Sequence, residues 1–318
     1  MGDTFRKLAI YFHRQPAYWQ VSSKWNSKNE IAWGWYPLSF EGFLDSGLFD
    51  SFDPDGLPLR RFRAEGVSVH LFSKMFAYAL GHWERYLRTG ESRDAQALIL
   101  VADYVLRNAD CSDGGCALRM ERPGKGHSGE ISAMDQGMAM SVLGRAFRAS
   151  RDLEYLNAAE RCLQAFQKSV EDDGVVSRFS AIESIWFEEH TLYPIRHILN
   201  GMVFALWGLW ELVRFAGDSR AEALFSQGLS SLEKALGLYD TGFWSRYWVA
   251  EDERHYMASM KYHNLHICQL EVLGLMTGSD SFRSRGARFR SYLGSASCRC
   301  RAALGLAVGK LAALSRRE

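Results

Sequence analysis

The sequence lacks an excess of charge of either sign. Its 318 residues carry Lys+Arg 38 against Asp+Glu 37, which leaves a formal net charge of +1 at pH 7. Proteins that bind nucleic acid or anionic lipid through charge usually show a basic surplus or a basic tract. The balance therefore argues against nucleic acid as a partner, although a local cluster of Arg and His can still bind an anionic group.

The sequence also lacks a long hydrophobic run and a recognisable cysteine pattern. No uninterrupted apolar stretch of about 20 residues is present, which predicts no membrane span. The N-terminus leads into a polar aromatic stretch rather than an apolar signal core, which predicts a cytoplasmic protein. The six cysteines form no CxxC pair and no zinc-type array with histidine, so no metal is predicted. Cys111 and Cys116 flank a short loop, but a reduced pair is favoured.

Four short polar breaks divide much of the chain into helical hairpins. Apolar residues recur at helical spacing on both sides of each break, as Phe72, Phe76, Leu80 and Trp83 do before the first. Glycine ends a helix at low cost, and Ser or Asp caps the next one. The breaks recur roughly every 60 residues, as in α/α repeats. They lie at residues 88–94, 148–152, 215–220 and 276–281.

The connections between the hairpins are long, at residues 108–132, 169–197 and 237–262. Long loops inside a compact domain are usually functional, and stacked hairpins gather them on one face of an arc. We therefore predict an all-α fold, an incomplete (α/α) toroid or barrel of about four hairpins, over residues 67–318. Residues 1–66 contain turn-forming Pro and Gly and predict an N-terminal extension with turns and short strands.

Two of the long connections are rich in groups that transfer protons or bind anions. Residues 186–201 contain Trp186, Glu189 and His190 ahead of an apolar helix, and residues 239–266 contain tyrosines, arginines and histidines. Acid–base chemistry on an anionic sugar needs a base, an acid on the other face and cations for a carboxylate. These loops are therefore the candidate site.

At these residues the sequence resembles the C-terminal domain of the D-glucuronyl C5-epimerases, which act on heparan-type chains. Several motifs in the same order are more specific than any one, and the resemblance covers roughly residues 33–295. The segments at residues 36–38 and 52–58 also look like the family. The main matches are Ser132-Ala-Met-Asp-Gln-Gly137, Trp186-Phe-Glu-Glu-His190, Ile198-Leu-Asn-Gly201, Leu238-Tyr-Asp-Thr-Gly242 and Tyr262-His-Asn-Leu-His-Ile267.

The resemblance implies an (α/α) barrel enzyme, an epimerase that removes and returns the C5 proton of glucuronate within a polysaccharide, without a cofactor. Glu189, Tyr262 and Tyr247 match acid–base groups or a retained tyrosine of the family. His190 stands where the family has a tyrosine, and an imidazole with pKa near 6.5 is a different base from a phenol near 10. The family's animal members are dimers, so a homodimer is also implied.

The predicted substrate contacts come from both loops and from one helix start. We expect Arg246 or Arg254 to bind the uronate carboxylate and stabilise the enediolate-like intermediate. The other predicted substrate-binding residues are Asn200, His263, His266, Trp186 and Gln136.

Each candidate also has a structural interpretation, and the function has alternatives. Glu189 can cap a helix, Trp186 is more often packing than a sugar platform, and His263 and His266 suit hydrogen-bonded core positions.

A polysaccharide lyase shares the first step and then expels the C4 substituent. A hydrolase needs two carboxylates, for which Glu189 with Asp240 is the candidate pair. A non-catalytic glycan-binding protein of polysaccharide assembly would bind uronate chains without exchanging a proton.

Overall fold

The computed structural model describes residues 19–28, 34–121, 123, 129–250 and 255–314. Helices make up most of this part of the chain, and three small antiparallel sheets lie in the connections. The helices are α1 (Glu41–Leu44), α2 (Phe72–Thr89), α3 (Ser92–Asn108), α4 (Ala133–Ser150), α5 (Leu153–Cys162), α6 (Leu199–Ala216), α7 (Ser219–Ala235), α8 (Met260–Thr277), α9 (Asp280–Gly294) and α10 (Ala296–Leu314).

The four predicted hairpins are present, each with a two-residue link: α2–α3, α4–α5, α6–α7 and α8–α9. Three links turn at a glycine in the left-handed region, Gly90, Gly217 and Gly278, with φ of 75°, 68° and 74°. The α4–α5 link turns instead at Arg151, with φ 64°. This conformation disfavours a residue with a β-carbon, so the sequence break is weakest there.

The first helices of the hairpins form an inner layer, and their partners form an outer one. The inner helices α4 and α6 are buried around most of their circumference, whereas α3, α5, α7 and α9 alternate buried and exposed residues. Contacts link α2 to α4, α4 to α6 and α6 to α8. The arrangement confirms an all-α, incomplete (α/α) toroid.

The two central inner helices touch through glycine and run parallel. A β-carbon on Gly208 of α6 would lie 2.2 Å from the Gly137 carbonyl oxygen of α4. A β-carbon on Gly144 would lie 2.2 Å from the Phe215 ring, two helical turns further along both helices. The backbones therefore cross at a distance that a larger residue at position 137 or 208 would prevent. Because neighbouring inner helices run the same way, their N-termini lie at one end of the barrel.

A buried ion pair adds a second link between the same two helices. Arg145 of α4 donates to both carboxylate oxygens of Glu211 of α6, at 2.8 and 2.7 Å, and neither side chain is more than 1% exposed. Arg145 Nε also donates to the Gly34 carbonyl at 3.2 Å. Removing one partner of such a pair leaves an uncompensated buried charge, so these contacts fix the register of the two helices.

The long connections contain short strands that the sequence did not reveal. β3 (Val176–Phe179) pairs with β4 (Ser184–Phe187), and β6 (Arg246–Val249) lies between β5 (His197–Ile198) and β7 (His255–Met257). A third sheet, the hairpin of β1 (Arg60–Phe62) and β2 (Val67–Val69), begins in the extension, where short strands were predicted. The predicted boundary between residues 66 and 67 falls between the turn of this hairpin and β2.

The N-terminal extension is fastened to α2. The Glu84 carboxylate accepts from the backbone amides of Phe40 and Glu41, both at 3.0 Å, and from the Ser39 hydroxyl at 2.9 Å. A β-carbon on Gly81 would lie 2.9 Å from the Phe40 carbonyl oxygen. The extension therefore lies directly on the inner layer and can form a wall of any cavity at that end.

The described residues also bear on membrane spans and on disulfide bonds. No helix among them is long and apolar enough to cross a membrane. All six cysteines are free thiols, including Cys111 and Cys116.

Candidate active site

One cavity of about 530 Å³ lies where the four inner helices begin. Residues from the first turns of α2, α4, α6 and α8 line it, and the N-terminal extension and the β1 strand close it. The wall consists of Trp19, Phe40, Phe43, Leu48, Arg60, Phe62, Leu71, Ser73, Lys74, Ala77, Met134, Met138, Glu189, Asn200, Phe204, Lys261, Tyr262 and Leu265.

Glu189 is held in the cavity wall by the start of α6. It follows β4, whose pairing continues as the Glu188 amide donates to the Val175 carbonyl at 2.8 Å. The Asn200 side-chain amide donates to Glu189 Oε2 at 3.0 Å. A β-carbon on Gly201 would lie 2.6 Å from the β-carbon of Glu189. Glycine at position 201 is therefore what lets this carboxylate lie against the helix, where the residue is 5% exposed.

Tyr262 reaches the same cavity from another wall. It lies in the first turn of α8, where Ser259 caps the helix by accepting from the Tyr262 amide. The ring of Tyr247, on β6, packs against it with centroids 4.4 Å apart at 46°. The structure therefore brings Glu189 and Tyr262 to one cavity, with Tyr247 supporting the second.

His190 lies between two carboxylates. Its Nε2 is 3.9 Å from Glu189 Oε1 and its Nδ1 is 3.7 Å from Glu130 Oε2. Both distances exceed a direct hydrogen bond, and the His190 side chain is 21% exposed whereas the Glu130 side chain is fully buried. The imidazole is thus placed between Glu189 and solvent.

Three cations of the cavity wall were not identified from the sequence. Arg60 comes from β1, Lys74 from the first turn of α2 and Lys261 from the first turn of α8. Arg60 and Lys261 are exposed, but the Lys74 side chain is only 6% exposed. Lys74 follows an apolar helix start, and no local pattern distinguishes it from a solvated lysine.

A second group of polar side chains, the interior cluster, is formed by Ser177, Glu188 and His197. His197 Nδ1 lies 2.6 Å from Glu188 Oε1, and the Ser177 hydroxyl donates to the same oxygen at 2.5 Å. The Tyr239 hydroxyl donates to the His197 carbonyl at 2.7 Å. Burial and the nearby charge of Glu188 raise the pKa of Tyr239. The cluster is enclosed and joins the β3–β4 hairpin to the strand before α6.

Comparison with known families shows which family this chain belongs to. The model of the D-glucuronyl C5-epimerase C-terminus matches residues 114–291, which is more than half of the chain. The chain belongs to this family. It is 32% identical over 222 residues to the D-glucuronyl C5-epimerase of Caenorhabditis elegans. The matched region covers 62% of this chain and 35% of that protein. An uncharacterised Methanocaldococcus jannaschii protein is 28% identical over 152 residues, 47% of this chain and 48% of the relative.

This chain spans about a third to a half of the length of these two relatives. Solved structures share its fold. A D-mannose isomerase superposes with a TM-score of 0.54 at 10% identity, over 79% of this chain and 68% of the other. Cellobiose 2-epimerase from Spirochaeta thermophila gives 0.52 at 13% identity, over 77% and 65%. At such identities the likeness supports the (α/α) toroid and nothing finer.

Of the two arginines predicted to bind the uronate carboxylate, the structure describes Arg246, which is not among the residues of the cavity wall. Arg246 lies on β6 and donates to the Leu238 carbonyl, and burial lowers the pKa of its guanidinium. Arg254 lies outside the described residues. The cations that do line the cavity come from β1, α2 and α8 instead.

The two motif histidines lie inside the protein rather than in the cavity wall. His263 Nε2 is 3.0 Å from the Phe289 carbonyl, which requires a proton on that nitrogen, so its Nδ1 accepts from the Ser245 amide at 3.2 Å. His266 Nδ1 is 2.9 Å from the Ser245 hydroxyl. Burial lowers the pKa of His263 to about 3 and that of His266 well below its usual value. Both rings therefore remain neutral and join α8 to the residue before β6 and to α9, which is the hydrogen-bonded core position considered for them.

Two further predicted substrate contacts are also core residues. Trp186 is fully buried and stacks on Tyr239 with ring centroids 5.8 Å apart. Gln136 is buried and uses its side chain on backbone groups, accepting from Leu118 and donating to Cys116 and Cys162. Packing, the structural alternative for Trp186, is what the structure shows, whereas Gln136 holds the connection before α4 and the end of α5.

The second carboxylate considered for a hydrolase is engaged elsewhere. Asp240 accepts from Arg285, lies 2.9 Å from Arg288 and accepts from the Tyr292 hydroxyl at 3.0 Å. It therefore ties the segment before β6 to α9, and it is not among the residues that line the cavity with Glu189. Within the described residues, no group of three or more His, Cys, Asp or Glu is arranged to hold a metal ion.

Proposed function

We propose that this chain is a uronyl C5-epimerase that interconverts glucuronate and iduronate residues within a polysaccharide. The observation that carries the proposal is that Glu189 and Tyr262, from separate elements, line one cavity. A carboxylate and a phenol on different walls can address opposite faces of one sugar ring, which inversion at a carbon requires. Family membership supports the same chemistry.

In the proposed reaction, Glu189 accepts the proton as the C5–H bond breaks. The electron pair of that bond moves into the adjacent carboxylate and forms an enediolate. Tyr262 then donates its hydroxyl proton to C5 on the other face, and the phenolate and the protonated Glu189 return to their starting states by exchange with water. In the reverse direction the two residues exchange roles.

The position of the cavity suits a build-up of negative charge on the substrate. The N-termini of four inner helices meet there, and helix N-termini carry partial positive charge. Neither α2 nor α6 has a side-chain cap at its N-terminus. Prearranged positive groups of this kind stabilise an enediolate more than its parent carboxylate, which lowers the barrier to proton removal.

His190 is assigned the return of Glu189 to its ionised state. A small rotation of either side chain brings the imidazole, now 3.9 Å from Glu189, into hydrogen-bonding distance. The His190 side chain is 21% exposed, so it lies between Glu189 and solvent and can pass the abstracted proton to water.

The direct test is incubation with heparosan in deuterated water, followed by proton NMR. We expect deuterium at C5 together with iduronate signals. An unsaturated, ultraviolet-absorbing product would identify a lyase instead, because the same carbanion would have expelled its C4 substituent. Binding of the chain without exchange at C5 would indicate a non-catalytic glycan-binding protein.

Replacing Tyr262 tests the assignment of the second proton donor. We expect Tyr262→Phe to lower iduronate formation by about 10²- to 10⁴-fold while the protein remains folded. Tyr256→Phe is the matched control, because this tyrosine lies on β7 and stacks on Trp248. Iduronate formation at the wild-type rate in Tyr262→Phe would contradict the assignment.

A further inference from the structure

The charged groups in the cavity wall are unequal in sign. Arg60, Lys74 and Lys261 are cationic, whereas Glu189 is the acidic residue among the wall residues. Arg60 comes from β1, Lys74 from α2 and Lys261 from α8, so three separate elements each contribute a cation to the cavity that Glu189 lines. A concave site lined mainly by one sign of charge concentrates ligands of the opposite sign.

Lys74 differs from the other two because it is buried. Its side chain is 6% exposed, and the ammonium donates to the Leu59 carbonyl at 2.8 Å. It also donates to Asp50 Oδ1 at 3.4 Å, in a long ion pair whose carboxylate is 56% exposed. An ammonium has three N–H groups, and a buried charge is costly unless it is fully paired. The pair with Asp50 is long and partly solvated, so an anion in the cavity would compensate the buried charge more fully.

Neighbouring cations make the positive charge of Lys74 less favourable. Burial lowers the pKa of Lys74, and the positive charges of Arg60 and Arg61 lower it further, whereas Asp50 acts in the other direction. Arg60 and Phe62 of β1 line the cavity. Arg61, between them, lies on the other face of the strand and does not line it. An anion bound beside Lys74 and Arg60 would relieve the repulsion between them.

Asn200 provides an independent sign that the cavity is shaped for a polar ligand. It is 2% exposed and lines the cavity, and its amide nitrogen is used by Glu189. Its Oδ1 atom is buried with no hydrogen-bond partner among the described residues. A buried acceptor without a partner costs free energy, and a sugar hydroxyl in the cavity would satisfy it.

We propose that Lys74, with Arg60 beside it, binds the carboxylate of the uronate residue and makes the cavity selective for acidic over neutral sugars. This inference rests on the proposed function for the identity of the sugar. Placing the carboxylate at an ammonium also withdraws electron density from C5, so the same contact that selects the substrate eases loss of its proton.

The test compares two chains that differ only in the carboxylate. Heparosan oligosaccharides carry no sulfate, so their charge is the uronate carboxylate, and chemical reduction converts each uronate into a neutral hexose. Calorimetry would give Kd for both chains. We expect the wild type to bind the acidic chain more tightly, and Lys74→Met to weaken that binding by about 10- to 100-fold without changing Kd for the reduced chain.

Arg61→Met is the matched control, because it removes the same charge from the face of β1 that does not line the cavity. It should change Kd for the acidic chain by less than about threefold. Arg60→Met is a second test that does not disturb a buried group, and we expect a loss of about 3- to 10-fold. It decides the question if Lys74→Met fails to fold in circular dichroism.

The outcomes separate this inference from the proposed function. A folded Lys74→Met protein, or failing that Arg60→Met, with the wild-type preference for the acidic chain would overturn the inference, as would a wild type with no preference. C5 deuterium exchange in the wild type would leave the epimerase proposal standing in either case. Lys74-dependent binding without any exchange would retain the carboxylate site and reject the epimerase.

Discussion

Two neighbouring regions of the molecule start from consecutive glutamates and use them differently. Glu188 points into the interior cluster, where a histidine and a serine hydroxyl share one of its oxygens. Glu189 points to the cavity, where the Asn200 amide donates to it and His190 stands 3.9 Å away. Along an extended chain, successive side chains face opposite sides, so one motif supplies both an interior carboxylate and one in the cavity wall.

Hydrogen bonding separates the two positions. Glu188, which accepts two short bonds inside the protein, is fixed and shielded from the cavity. Glu189 lies in the cavity wall, where a molecule bound in the cavity can approach it. The same division occurs on α8, where Tyr262 lines the cavity and His263 is enclosed.

The largest effect is expected on the cavity side. Glu189→Gln keeps the shape of the side chain and removes the base, so C5 deuterium exchange should fall by about 10²- to 10⁴-fold. The melting temperature should remain near that of the wild type. Exchange of deuterium at C5 is read by NMR, and an unchanged rate would show that another group removes the proton.

On the interior side, the expected effect is on stability rather than rate. Glu188→Ala leaves the donors of Ser177 and His197 buried without their acceptor, so the free energy of unfolding should fall by about 3–5 kcal/mol. Denaturant titration measures this loss. The exchange rate per folded molecule should stay within a few-fold of the wild type, and a loss as large as that of Glu189→Gln would erase the distinction between the regions.

The smallest expected effect sharpens the comparison through pH. His263 has a folded-state pKa of about 3 against 6.5 in the unfolded chain. Between these values the unfolded chain binds a proton that the folded protein does not, so stability falls as the pH falls through this window and levels off below pH 3. At pH 5 the contribution of His263 should be a loss of about 2 kcal/mol relative to neutral pH.

The control for this effect is His263→Gln, which keeps hydrogen-bonding groups but cannot titrate. Its unfolding free energy should be lower at pH 7 and should depend less on pH between 7 and 5 than that of the wild type. His266 titrates in the same direction, so some dependence will remain. Equal slopes in both proteins would show that His263 takes up its proton as readily in the folded protein as in the unfolded chain.

The helices were predictable from sequence because their signals are local. Glycine in three of the breaks, at Gly90, Gly217 and Gly278, and apolar spacing on both sides of every break were enough to predict the four hairpins. The strands of the long connections were missed because a strand as short as His197–Ile198 is defined by its pairing with β6 rather than by its own pattern. Pairing across 50 residues is not visible in a local window.

The site was predictable only in part for the same reason. The family motifs led to Glu189 and Tyr262, which do line the cavity. They led equally to His266 and Trp186, because a motif does not indicate which of its side chains face inward. Lys74 lies in a segment without a motif, and its burial depends on how the extension packs on α2, which no local pattern encodes.

The contact between Gly137 and Gly208 has a mechanical consequence. Met134 and Met138 on one helix, and Phe204 on the other, belong to the cavity wall and lie within one turn of that crossing. Backbones in direct contact cannot slide apart or twist without breaking close packing. This part of the wall is therefore rigid. Any opening that admits a long sugar chain must come from the β1–β2 hairpin and the extension, which close the cavity.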